Sequence, residues 1–287
     1  MPDTVFFEVP GVFTDTTLPD PTLADPILHG ANGGIRSLFD LASVASWPSR
    51  VAPIDGDTVG DLSGSGDLSA MVAAGSSGVA FNGGGFDFAS VVPASARPFG
   101  VRGPTGSLAS IYSAAHDYFL VCGYYRLPSA WNTSSSMLCL FTTASVRNAY
   151  LEQPDMLTFG LLSPNRFSAR RQTNGSTVAQ TNSPALDNAH LGKVAQIAVW
   201  RNATEFRFRI RTTAGTVLGP SEAVGVDNAG DFSAQRPSWG LTIAFNAADQ
   251  PNDLRLYRGF VDDLNLDNRD PVAILDADWA TVAARFS

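Results

Sequence analysis

Four aspartates, Asp55, Asp57, Asp61 and Asp67, crowd into a Gly/Ser-rich stretch, and closely spaced carboxylates are the donors a calcium ion takes. The helix–loop–helix calcium loop closes on a bidentate Glu, and Gly66 stands at that position. Asp55, Asp57 and Asp61 are therefore calcium candidates of a looser kind, and no other cofactor is expected. The competing reading is a solvated turn whose carboxylates accept from nearby backbone amides. A second arrangement is the run Glu205-Phe206-Arg207-Phe208-Arg209-Ile210-Arg211. Strict alternation puts Arg207, Arg209 and Arg211 on one face of a strand, about 7 Å apart. Such a row can grip an acidic glycan or a neighbouring subunit's carboxylates, or it can be a solvated face with acidic cross-strand partners. Trp131, in the loop from Ser129 to Thr133, can stack on a sugar ring or cap the core. Arg207, Arg209, Arg211 and Trp131 are thus the candidate ligand-binding residues.

Catalytic chemistry finds little material. Glutamates occur only at positions 8, 152, 205 and 222, and Asp262-Asp263 would point to opposite faces of a strand. His29, His116 and His190 lie far apart, without a second His at metal-ligand spacing. No nucleophile elbow, phosphate loop or Cys–His signature is found. No catalytic residue is expected.

The elements that would position these groups are strands. Of 287 residues, 44% are hydrophobic and 16% charged, enough apolar material for one continuous core. Twenty-six glycines and eighteen prolines interrupt short apolar runs, the pattern of strands joined by turns. The net charge of −8 disfavours nucleic acid as a partner, and Lys193 is the sole lysine. No run is long and apolar enough to insert into a membrane, and the N-terminus lacks the pattern of a signal peptide. Cys122 and Cys139 read as buried thiols, with a cross-strand bridge left open.

Residues 1–35, with five prolines among acidic residues and threonines, read as an extended arm that must be held by its own sandwich or by another subunit. Arg36 to Trp47 carries a short helix-compatible spacing. Two short strands are expected around Gly83-Gly84-Gly85. Further strands are expected at Tyr118–Leu127, Met137–Thr143, Met156–Leu162, Val194–Trp200, Glu205–Thr212, Gly240–Phe245 and Leu254–Leu266. Arg201 to Thr204 is the turn of a hairpin. About 270–286 is an amphipathic helix, with Asp270 as cap, Pro271 in the first turn, and Val272, Leu275, Trp279, Val282 and Phe286 as its apolar stripe. The expected class is all-β, a two-sheet antiparallel jelly-roll sandwich over residues 36–287, with an N-terminal arm and a closing helix.

Three stretches resemble a known family. Asp61 to Asp67 with Val79 to Phe88 is similar to the opening segment of concanavalin A-like and laminin-G-like domains. Phe260 to Arg269, with its paired acids and Asn268-Arg269 step, resembles their closing strand, and Lys193 to Ile210 resembles their central hairpin. Domains of this kind also occur on bacteriophage virion proteins. The resemblance implies a non-enzymatic surface protein, a virion component decorating a capsid or tail, whose lectin-like domain binds host-surface glycan. It also allows a stand-alone carbohydrate-binding lectin, and a glycoside hydrolase, although the family's glucanase motif Glu-x-Asp-x-x-Glu is absent. The expected partners are other virion subunits through the arm, cell-surface glycan and further copies of the chain. The expected location is the virion surface, after synthesis in a host cytoplasm.

Overall fold

The computed structural model describes residues 25–28, 33–73, 78–90, 99–131, 138–143, 157–162, 165–174, 177–222, 225–227, 235–241 and 253–286. The expected arm up to residue 24 lies outside them, as do His29, Glu8, Glu152 and the ends of several expected strands. In chain order the strands are Ile35–Asp40 (β1), Thr58–Val59 (β2), Leu68–Val72 (β3), Ala80–Asn82 (β4), Gly85–Asp87 (β5), Phe99–Arg102 (β6), Phe119–Arg126 (β7) and Leu138–Thr142 (β8). They continue as Thr158–Leu162 (β9), Arg166–Asn174 (β10), Thr177–Asn182 (β11), Val194–Arg201 (β12), Phe206–Thr212 (β13), Gly215–Leu218 (β14), Ser238–Leu241 (β15) and Arg255–Asp263 (β16). The helices are Ala109–Ser113 (α1), Leu264–Asp267 (α2) and Pro271–Val282 (α3).

These strands form two antiparallel sheets. The first runs β14-β13-β12-β7-β16-β5-β4 with β1 also paired to β16, and the second runs β11-β10-β9-β8-β15-β6-β3-β2. The chain is thus an all-β sandwich with a short C-terminal helix. Alternation along β7 shows why. Phe119, Val121 and Tyr125 enter the core between the sheets, while Leu120, Cys122 and Tyr124 join a second cluster on the outer face. The centre of the first sheet is covered on both sides, which is why its strands are nearly continuous apolar runs. Inside, Trp239 meets Phe39 and Phe141 edge-on at 5.2 and 5.3 Å, and its Nε1 donates to the Cys122 carbonyl at 3.0 Å. Cys122 and Cys139 are buried free thiols.

What covers the outer face is α3. Asp270 caps it by accepting from the Val272 amide at 3.0 Å, and Pro271 occupies the first turn, as expected. The face it buries is Pro271, Ile274, Leu275, Asp278 and Val282, continued by Phe286. Trp279 is only partly covered, and Val272, expected in the stripe, is 39% exposed. The stripe is set one residue around the helix because a charged residue, Asp278, has a buried partner waiting.

The helix-compatible stretch after Arg36 is corrected: Ile35–Asp40 is a strand, followed by turns to Trp47. Pairing with β16 sends Leu38 to the outer cluster and Phe39 to the inner core, and that two-sided burial overrides a spacing of three and four. The Val194–Arg201/Phe206–Thr212 hairpin forms as expected. Its turn is held by the Asn202 side chain, which accepts from the Thr204 and Glu205 amides at 2.9 Å. Near the N-terminus, Asp25–Leu28 packs under α3, so part of the expected arm belongs to the sandwich.

Candidate functional site

A bulge in β16 organises the outer face. Leu256 faces Tyr125 and Arg258 faces Tyr124, so Tyr257 is an inserted residue, and both Tyr257 and Arg258 come to lie on the helix side. Gly259 follows because the inner face there is full: a Cβ would stand 2.7 Å from the Trp239 indole nitrogen and 2.8 Å from Phe39. Arg258 is wholly buried and meets Asp25 at 2.6 Å, Asp278 at 2.7 Å and Asp40 at 3.7 Å. Tyr124 donates to Asp278 at 2.7 Å, and Gln196 donates to Tyr124 and to the Leu275 carbonyl. Burial opposes the charge of Asp25, but the ion pair and hydrogen bonds from Arg258 hold its carboxyl below the ordinary range. Burial wins at Asp40 and Asp278, whose carboxyls titrate above it. This cluster fastens residue 25, β1, β16 and α3 to one another.

Beside it, between the end of α3 and the sheet, opens a cleft of about 760 Å³, within the size range of small-ligand sites. At its base Tyr257 and Phe286 stack on each other at 4.9 Å, both almost wholly buried, and the partly buried Trp279 stands with Val194, Ala280 and Ala283 in the walls. Its rim is basic, with Arg126 from the end of β7, Lys193 from the turn before β12, and Arg255 from β16. Arg255 lies over the Tyr257 ring at 6.0 Å and pairs with Asp87. Burial raises Asp87, but the Ala89 amide and Arg255 outweigh it and hold the carboxyl low. No carboxylate lines the cleft among the described residues.

The residues singled out from sequence fall elsewhere. Phe206, Phe208 and Ile210 do enter the core, and the three arginines do share the opposite face, but α3 covers that face at Arg209 and Arg211. Arg209 and Arg211 both meet Asp276 of α3, at 2.5 and 2.7 Å, and Arg211 lies over Trp279 at 5.2 Å. Arg207 meets Glu205 at 3.2 Å and the Gly219 carbonyl at 3.0 Å. Trp131 packs against the core and donates to Asn188 Oδ1 at 3.0 Å. Asp55 accepts from the Val72 amide, Asp57 from Ile54, and Asp61 from Leu38, Ser63 and Ser65. These aspartates organise turns and do not gather, and no group of acidic, His or Cys side chains is placed to hold a metal ion among the described residues.

Asp262 pairs with Arg269 at 2.6 Å, while Asp263 caps α2 through the Asn265 amide at 3.1 Å. At the far end of the sandwich, Asp117 binds Arg171 and Arg201, and Asp227 takes Arg201 and the ring of His116 at 2.9 Å. Burial disfavours charge on Asp227, but the hydrogen bonds from His116, Asp117 and Arg201 hold its carboxyl far below the usual range. Asp117, holding Arg171 of β10 and Arg201 of β12, staples the two sheets together, and a carboxylate as saturated as Asp227 is a poor general base. The cleft residues were missed because their meeting depends on register: Arg126 stands opposite Val194 on one neighbour and opposite Arg255 on the other. The one usable signal was the solitary lysine.

No protein-family model matches this chain, and no curated protein matches it. Among solved structures, the binding domain of botulinum neurotoxin serotype D superposes with a TM-score of 0.51 at 8% identity, over 88% of this chain and 53% of that one. A Trypanosoma rangeli sialidase in complex with sialic acid gives 0.43 at 10% identity, over 88% and 33%. The CBM40 of a Ruminococcus gnavus sialidase, bound to α2,6-sialyllactose, gives 0.40 at 10% identity, over 74% and 97%. The chain spans about half the length of the toxin domain. At such identity the likeness to that domain concerns the fold alone. No helix among the described residues is long and apolar enough to cross a membrane.

Proposed function

We propose that this chain is a non-enzymatic, lectin-like surface protein whose glycan site is the cleft under α3. The observation that carries the reading is the cleft itself, apolar walls under a polar rim, the combination that suits a sugar's C–H face and its hydroxyls. Hydrolysis would need two carboxylates flanking the bond, and the described walls offer cations instead. The toxin domain of similar fold is itself a binding domain. The resemblance of Asp61 to Phe88 and Phe260 to Arg269 to jelly rolls on bacteriophage particles, together with a Pro-rich N-terminal segment, supports a place on a virion head or tail, with the arm joining neighbouring subunits.

The test is a glycan array on the full chain beside the variant Ala280→Trp. Ala280 is an exposed residue of α3 on the cleft wall, so an indole there fills the cleft without entering the core. Binding to a defined glycan, abolished in a variant that melts like the wild type, is the expected result. Survival of binding in that variant would place the site elsewhere, and release of reducing ends from a bound glycan would make the protein a hydrolase.

A further inference from the structure

We infer that the ligand of this cleft is an anionic saccharide, one carrying a carboxylate or sulfate, held by Arg126 and Lys193. The inference rests on the cleft being the glycan site and adds the chemical class. Arg126 and Arg255 stand directly opposite each other on paired antiparallel strands, a position where side chains are about 5 Å apart at Cβ and like charges destabilise the sheet. Lys193 joins them from the turn, where its carbonyl accepts from the Leu127 amide at 2.8 Å. Of the three, Arg255 has a carboxylate, Asp87. Arg126 donates through Nε to the neutral Gly192 carbonyl at 3.1 Å, and no described carboxylate pairs with its charge or with that of Lys193.

Several arginines in this molecule are matched with aspartates: Arg209 and Arg211 with Asp276, Arg171 and Arg201 with Asp117, Arg258 with three partners. Arg50 instead gives its guanidinium to the Leu41 and Ala42 carbonyls, so what sets Arg126 apart is its company, Lys193 and Arg255 at one cleft mouth. In a chain of net charge −8, two cations with no carboxylate partner among the described residues, beside a third across the strand at the mouth of an apolar cleft, form a local positive field suited to an outside anion. The apolar walls, built from Val194, Trp279, Ala280 and Ala283, set the rest of the ligand: an apolar face beside the charge, which a sugar ring has and a simple anion lacks.

The decisive measurement is calorimetric titration of the full chain with three uronate-type oligosaccharides: free acid, methyl ester and sulfated counterpart. Affinity for an anionic form at least tenfold above the ester, falling with added salt, is the expected result. The variant Arg126→Gln/Lys193→Gln should erase that preference. The free-acid and sulfated arms distinguish the two anions. Equal affinity for acid and ester, with binding still blocked by Ala280→Trp, would overturn the inference and leave the glycan reading standing. If no saccharide binds at all, the glycan reading itself falls. Equal or tighter binding of a poly-glutamate peptide would reassign the cleft to an acidic polypeptide. Should the double variant fail to fold, the comparison of acid with ester on the wild type still decides.

Discussion

Arg258 shows how much of this structure is decided at single residues. A fully buried guanidinium costs several kcal/mol to desolvate, and only its aspartates make the site tolerable. Replacing it by Met keeps the volume and strands Asp25, Asp40 and Asp278 with Arg285 alone, which reaches Asp40 at 3.1 Å. We expect a loss of about 3–5 kcal/mol in urea denaturation at pH 7. The pH dependence separates charge from packing. Asp40 and Asp278 already titrate above the ordinary value, so at these two sites the folded protein binds protons more readily than the unfolded chain. Without Arg258 that preference grows and extends to Asp25. The variant should therefore gain stability, relative to wild type, as pH falls from 7 towards 5. A gap independent of pH would show that the arginine acts by packing alone. None of this cluster was legible in the sequence, because Asp25 and Arg258 are separated by 233 positions and meet only through a bulge. The row Arg207, Arg209 and Arg211 was legible as a row, since alternation fixes a face, but alternation does not say what covers that face.

At the scale of elements, readability follows locality. The closing helix announced itself through a cap, a proline and a spacing that are all local. The same local features give its test: Asp270→Ala should cost about 1 kcal/mol by loss of the cap. Leu275→Ala, at a fully buried position facing the outer cluster, should cost about 2–5 kcal/mol. Chemical denaturation of both variants checks the ordering, and the reverse order would mean that α3 is held by its terminus and not by its buried face. Strands with a dense apolar alternation, such as β7, β12 and β13, were readable for the same reason. Among those missed, with β2, β6 and β14, are β10 and β11, which carry Arg, Gln, Asn and Thr and pair with each other at the edge of the second sheet, where one side needs little burial. β1 was misread as helical because its apolar residues serve two cores at once.

For the whole molecule, the outer face of the first sheet is the unusual feature, since a sandwich can leave that face to water and this one seals it with α3 and Asp25–Leu28. The chain that closes the fold therefore begins ahead of the first strand, and this changes how an assembly role for the N-terminal segment must be tested. A chain starting at Arg36 removes the Asp25–Arg258 ion pair and the Pro26–Leu28 turn, so any loss of oligomer could follow from lost stability. A chain starting at Asp25 keeps both. If the N-terminal 24 residues join subunits, as the virion reading holds, light scattering should find a defined oligomer for the full chain and a monomer for the chain from Asp25, the two unfolding at the same temperature. The chain from Arg36 should melt lower than either, because Arg258 is then short of a carboxylate. Equal native mass for the full chain and the chain from Asp25 would remove the arm from assembly. The cleft, on a face that the monomer itself completes, would then be the part of the molecule that meets other surfaces.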